Sequence, residues 1–160
     1  MRRVCWTKKI VATAEAIYAD PSALLKLYIK EPQSRVVAAW RAKISTPLLI
    51  THHGRLELIN GIGLAAHRAF ITEKMHEAAL AALDNDFEQG RYAQADLLWR
   101  ATLKRAMEVS REFTRLLGCR SLDVLHVASA LELGLQVFVT FDVRQKQLAR
   151  AVKLKVLDLE

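Results

Sequence analysis

Ser121-Leu122-Asp123-Val124-Leu125-His126-Val127-Ala128-Ser129-Ala130-Leu131-Glu132-Leu133, then Gly134, then Val137-Phe138-Val139 and Thr140-Phe141-Asp142, reads as a buried helix, a stop, a buried strand and the opening of another helix. The first part is apolar nearly all round except for Asp123 and His126, as a helix enclosed by other elements is. The uninterrupted Val137-Phe138-Val139 run is that of a strand covered on both faces, the pattern of a parallel sheet. Working outward, Val143 to Val152 predicts a basic helix, and Val156-Leu157-Asp158-Leu159 a last short strand. Upstream, Gly118 ends a helix expected over about residues 97–117. On that helix Leu103, Met107, Ser110, Phe113 and Leu117 predict the packed face, and Arg100, Lys104, Arg111 and Arg115 a basic one. Helices are also expected from Glu73 to about Gln89, from a Thr51 cap through Glu57, from Arg35 to Lys43 and from Ala23 to Ile29. A short apolar segment lies within Ile44 to Ile50, and Ala16-Ile17-Tyr18-Ala19 forms a strand that runs into Asp20-Pro21-Ser22, a cap followed by a proline at the first helical position. Strands alternating with helices predict an α/β fold, one domain over residues 16–160 with a short, mostly parallel central sheet flanked by helices. Residues 1–15 read as an N-terminal extension.

The 160 residues suit one domain with a real core. At 52% hydrophobic and 26% charged, the chain lies far from disordered compositions. Its 24 Lys+Arg against 17 Asp+Glu leave +7, which favours a polyanionic partner. Cys5 and Cys119 lack any paired spacing, so neither a disulfide framework nor a zinc site is indicated and a reducing, cytoplasmic compartment is expected. The longest stretch free of Asp, Glu, Lys and Arg, Ile44 to Gly54, is 11 residues, too short to span a bilayer, and no membrane partner is expected.

Asp20 and Asp142 each follow a strand and open a helix, which in a parallel sheet puts both at the carboxyl edge, where ligands of open α/β folds bind. Asp123 stands in the first turn of its helix, two residues after a Ser121 cap. Glu57 lies on a helix whose neighbouring lane, Asn60, Gly61 and Leu64, is small or polar, so a close approach is expected there. If the four carboxylates converge, each opposes the ionisation of the others unless a divalent cation neutralises them, and oxygen-only ligands suit Mg²⁺ or Mn²⁺. Such a cation can activate water and stabilise the charge of in-line attack at phosphorus. Taken singly, the same residues are ordinary helix caps, a helix-dipole partner and a helical glutamate.

Four blocks resemble the PIN-domain family, most closely the VapC-type toxin ribonucleases of toxin–antitoxin pairs. They are Ala16 to Tyr28 with Glu31-Pro32; Arg55-Leu56-Glu57-Leu58-Ile59-Asn60; Arg120-Ser121-Leu122-Asp123-Val124-Leu125-His126-Val127-Ala128; and Phe138-Val139-Thr140-Phe141-Asp142-Val143-Arg144-Gln145. The resemblance covers about residues 16–157. It implies a metal-dependent endoribonuclease in which Asp20, Glu57, Asp123 and Asp142 are catalytic and hold Mg²⁺ or Mn²⁺. Ser22 and Thr140 match hydroxyl positions near the metal. It further implies an RNA substrate, a cognate antitoxin covering the acidic site, and a homodimer. The rival reading is a non-catalytic RNA-binding or scaffold module on the same fold. His126 also matches, and as a single histidine on an apolar helix it is expected to be a structural hydrogen-bonder.

The chain departs from the family pattern in its longer N-terminal extension, in Pro21 after Asp20, in Gly61 and Gly63 within a helix, and in Lys153 where a glycine commonly ends the last helix. Other motifs fail on context. Gly61-Ile62-Gly63-Leu64-Ala65-Ala66 has the dinucleotide spacing but follows a helical segment instead of a strand. Asp84-Asn85-Asp86-Phe87-Glu88 opens like a calcium loop but has Gln89 at position six and Ala95 at position twelve. His52 and His53 are adjacent, so they diverge on a helix and lack a third ligand. A small-molecule phosphotransferase using Asp20 as nucleophile lacks an Asp-x-Asp arrangement beside it.

Overall fold

The computed structural model describes residues 16–159, and the expected extension over residues 1–15 lies outside the described residues. In order, the chain forms β1 (Ile17–Ala19), α1 (Pro21–Leu24) with a 3-10 turn at Leu25–Leu27, α2 (Ser34–Ala42), β2 (Leu48–Thr51), α3 (His52–His67) and α4 (Glu73–Glu88). There follow β3 (Tyr92–Ala95), α5 (Trp99–Val109), a π turn at Ser110–Thr114, α6 (Arg115–Leu117), α7 (Ser121–Glu132), β4 (Val137–Val139), α8 (Val143–Ala151) and β5 (Lys155–Val156).

Among the described residues every strand pairing is parallel. One sheet has the order β1-β4-β5 and the other pairs β2 with β3. The period-two alternation of β1 and β4 divides the interior. Ile17, Ala19, Val137 and Val139 face a core built with Leu58 and Ile62 of α3 and Leu83 of α4. Tyr18 and Phe138 face the other way, against Val124, Val127 and Ala130 of α7 and Leu148 of α8. Helices thus cover both sides of the sheet, which is why its strands read as continuous apolar runs.

The expected elements recur with four corrections, one being that the last strand, expected over Val156 to Leu159, is Lys155–Val156. Ala23 to Ile29 is only a short α1 followed by a 3-10 turn. Tyr92–Ala95, expected as a break before a helix, is a strand that pairs with β2 from Leu48↔Tyr92 to Thr51↔Ala95. On α5 the packed face is not the expected one: Leu103 and Met107 are exposed, while Thr102 and Val109 are buried and Ala106 packs beside Val109. A π turn follows at Ser110–Thr114, and Phe113 and Leu117 pack on the same side as Ala106 and Val109.

The close approach expected on α3 is real: a Cβ at Gly61 would lie 2.6 Å from a Leu25 methyl carbon, whereas Gly63 faces open space. The turn after α8 keeps the left-handed geometry of a helix-ending glycine although Lys153 occupies it, with φ +65°. Among the described residues no helix is long and apolar enough to cross a membrane.

Candidate metal and catalytic edge

Asp20 is reached by extending β1, because its N–H continues the ladder by donating to Val139 O at 3.0 Å. Its side chain then caps α1, with Oδ1 accepting from Ala23 N at 3.3 Å and from Ser22 Oγ at 2.7 Å. The residue is 1% exposed. Burial raises its pKa, opposed by positive potential from His126 and by the hydroxyls of Ser22 and Thr140.

Ser22 and Thr140 knit this strand end to its neighbour. Their hydroxyls share a hydrogen bond of 3.1 Å, Phe141 N donates to Ser22 Oγ and Asp142 N donates to Thr140 Oγ1. Asp142 caps α8, its Oδ1 accepting from Arg144 N at 2.8 Å and Gln145 N at 3.1 Å. Asp123 performs the capping role expected of Ser121: the helix begins at Ser121, and Asp123 Oδ2 reaches back to accept from Arg120 N at 2.8 Å.

Asp123 and Asp142 meet across residues that the motif analysis gave no role. Arg144 Nη2 lies 3.5 Å from Asp142 Oδ2, and Arg144 Nε 3.9 Å from Asp123 Oδ2. Gln145 Nε2 donates to Asp123 Oδ1 at 3.4 Å. The only sequence signal for these two was their place just after the Asp142 cap, with side chains free to turn back over it. Cys119 nearby is pushed up by burial and by the negative Asp123 and Asp142.

Glu57 stands apart from those contacts. Its Oε2 accepts from His126 Nε2 at 2.8 Å, and His126 Nδ1 shares a 2.7 Å hydrogen bond with the Tyr18 hydroxyl. His126 is fully buried. His53 lies beside it with ring centroids 4.8 Å apart, its Nε2 3.3 Å from Thr51 Oγ1 and its Nδ1 without a hydrogen-bond partner. Burial first, then the charge of His126, push His53 down to about 4, against the pull of Glu57. His52 turns outward to Asp96, so the two histidines diverge as their adjacency requires.

The fold therefore brings the Asp20, Asp123 and Asp142 caps to one edge, and Glu57 to its flank through His126. Among the described residues no three His, Cys, Asp or Glu side chains stand close enough to hold a metal ion as placed. The donor chemistry nonetheless fits a hard divalent cation. All four groups offer oxygen, Asp20 is desolvated without a cationic side chain in contact, and the Gln145 amide touching Asp123 has a buried Oε1 with no hydrogen-bond partner.

The PIN domain family model matches residues 17–151 of the chain. No curated protein matches the sequence significantly. Among solved structures, FitAcB from Neisseria gonorrhoeae is similar at 19% identity and TM-score 0.59, over 89% of this chain and 96% of that one. VapC20 from Mycobacterium tuberculosis, a sarcin–ricin-loop-cleaving toxin, is similar at 17% identity and TM-score 0.57, over 82% of this chain and 93% of that one. At such identities these two likenesses establish the fold.

Proposed function

Because the chain belongs to the PIN-domain family, we propose that it is a metal-dependent endoribonuclease and the toxin of a toxin–antitoxin pair. The observation that supports the reading is a chain of contacts joining three helix-capping aspartates: Asp20 through Ser22 and Thr140 to the backbone of Asp142, and Asp142 through Arg144 to Asp123. Asp20, Asp123 and Asp142 would hold Mg²⁺ or Mn²⁺, with Glu57 completing the set directly or through water. When bound, the cation would supply charge neutralisation at the scissile phosphate and a lowered pKa for water. The protein contributes orientation: Ser22 and Ala23 N–H fix Asp20, Arg120 N–H fixes Asp123, and the first turn of α8 fixes Asp142. The net charge of +7 favours RNA as the polyanion. VapC20 acts on the sarcin–ricin loop, and its likeness supports an RNA target here. An antitoxin covering the acid edge, a homodimer and a cytoplasmic location complete the proposal.

The test is incubation of total and transfer RNA with purified chain and Mg²⁺ or Mn²⁺, with EDTA and Asp123→Asn as controls. Cleavage lost in both controls is expected. A second reading, a non-catalytic RNA-binding module, draws on Arg144, which already offsets the charge of Asp123 and Asp142 without a cation. RNA held equally well with and without Mg²⁺, and left intact by metal-loaded protein, would favour that reading.

A further inference from the structure

Three of the four acids are oriented by backbone N–H groups in their own helix turns, but Glu57 sits within α3, where those groups are already used by the helix. Its carboxylate is partly open to solvent, with 26% of the side chain exposed, and a glutamate has three torsions to fix. The structure fixes it from another element. His126 Nε2 reaches Glu57 Oε2 at 2.8 Å from α7, and the opposite ring nitrogen lies 2.7 Å from the Tyr18 hydroxyl of β1. A carboxylate only accepts, so Nε2 carries the proton whichever way the Tyr18 bond runs. The imidazole is fully buried, and its two ring nitrogens are held by groups on different elements, so its orientation is determined. Tyr18 is determined in turn by stacking on Phe138, centroids 5.3 Å apart and planes within 3°. It also stands two residues before Asp20 on the same strand.

We propose that His126 is a positioning residue: with Tyr18 behind it, it holds the Glu57 carboxylate at the acid edge so that Glu57 can serve the cation there. This rests on the metal-dependent reading above. A histidine present only for packing has no need to direct its one certain donor at a solvent-reaching acid 69 positions away.

The test is a double-mutant cycle read by Mn²⁺ binding to the full chain, by titration calorimetry or Mn²⁺ electron paramagnetic resonance, with RNA cleavage as a second readout. His126→Phe keeps a ring in the buried site and removes the donor, and should weaken Mn²⁺ binding about 10–100-fold, the range for losing an outer partner of a ligand. His126→Gln, which restores an N–H donor, should recover most of that loss. Combining His126→Phe with Glu57→Gln should cost no more than Glu57→Gln alone, because the histidine acts through the glutamate. Thermal unfolding shows whether His126→Phe folds. If it does not, Tyr18→Phe, which keeps the stack on Phe138 and loses only the hydroxyl, enters the same cycle with Glu57→Gln. Wild-type Mn²⁺ affinity in a folded variant, or losses that simply add to that of Glu57→Gln, overturns the proposal. No Mn²⁺ binding by the wild-type chain would sink the nuclease reading itself, and the role of His126 with it.

Discussion

Around Asp123 and Asp142 the charged side-chain partner is the guanidinium of Arg144, whereas the side-chain partners of Asp20 and Glu57 are a hydroxyl and an imidazole. The first pair has its negative charge met from inside the chain by a side chain that is 35% exposed. The second pair is held without an arginine or lysine in contact, by a hydroxyl and by His126, and Asp20 is almost wholly desolvated. Order and charge balance are thus supplied separately along one edge. Burial raises the pKa of Asp20, and among the described residues no arginine or lysine pairs with it.

The sharpest way to break this contrast is to neutralise one acid on each side. Asp20→Asn and Asp142→Ala should both lower RNA cleavage by more than about 100-fold, but they should part company in stability. Asp20→Asn removes a carboxylate whose ionised form burial opposes, and asparagine is itself a good cap, so its melting temperature should hold or rise. Asp142→Ala loses the acceptor for Arg144 N and Gln145 N and should cost about 1 kcal/mol. A marked fall in stability for Asp20→Asn would show that the buried carboxylate is structurally favourable as it stands.

Proton uptake separates the two sides next. His53, on the buried side, is pushed down to about 4 in the fold, while an unfolded histidine titrates near 6.5. Its neutral form therefore favours folding fully above pH 6.5, and that advantage is lost as pH falls from 6.5 towards 4. After allowance for its partial access to solvent, the loss should be on the order of 2 kcal/mol. Denaturation of wild type and His53→Gln across this window should show the wild type falling relative to the variant. Parallel curves would place His53 in contact with water.

Smaller again is the effect of removing the internal cation. Arg144→Gln should tighten Mn²⁺ binding by a few fold, since an exposed guanidinium 3.5–3.9 Å from its acids competes only weakly with a divalent ion. Weaker binding in Arg144→Gln would mean that the arginine aligns the acids more than it competes for them. The least effect comes from the helix that carries Glu57. Gly63→Ala should stabilise by up to about 1 kcal/mol, and Gly61→Ala should fall short of it because Leu25 must move aside. Equal melting temperatures for the two would show Leu25 to be loosely held.

Much of this edge was legible in the sequence, because a buried strand followed by a capping aspartate is a local pattern: Asp20 and Asp142 cap α1 and α8 as expected. The oily helix after Arg120 was legible for the same reason. What escaped was non-local. Tyr92–Ala95 is only half buried in its pattern and becomes a strand by pairing with β2, some forty residues back. The packed face of α5 runs through Thr102, Ala106 and Val109 instead of Leu103 and Met107, because contact with α7, and not hydrophobicity alone, selects it. His126 is a structural hydrogen-bonder, as expected, but its partners are Tyr18 and an acid of the site, and no spacing rule announces a contact between α7 and α3. Arg144 escaped because side-chain direction, and not sequence position, lays it over Asp123 and Asp142.

The pairing of β1 with β4, Ile17↔Val137 to Ala19↔Val139, also sets a timetable for the nascent chain. Asp20 is translated early, yet its strand has no partner and its serine no threonine until residues 137–142 have left the ribosome. At roughly 5–20 residues per second, β1 waits several seconds or more for its partner strand. A chain cut short before β4 cannot assemble the acids at all.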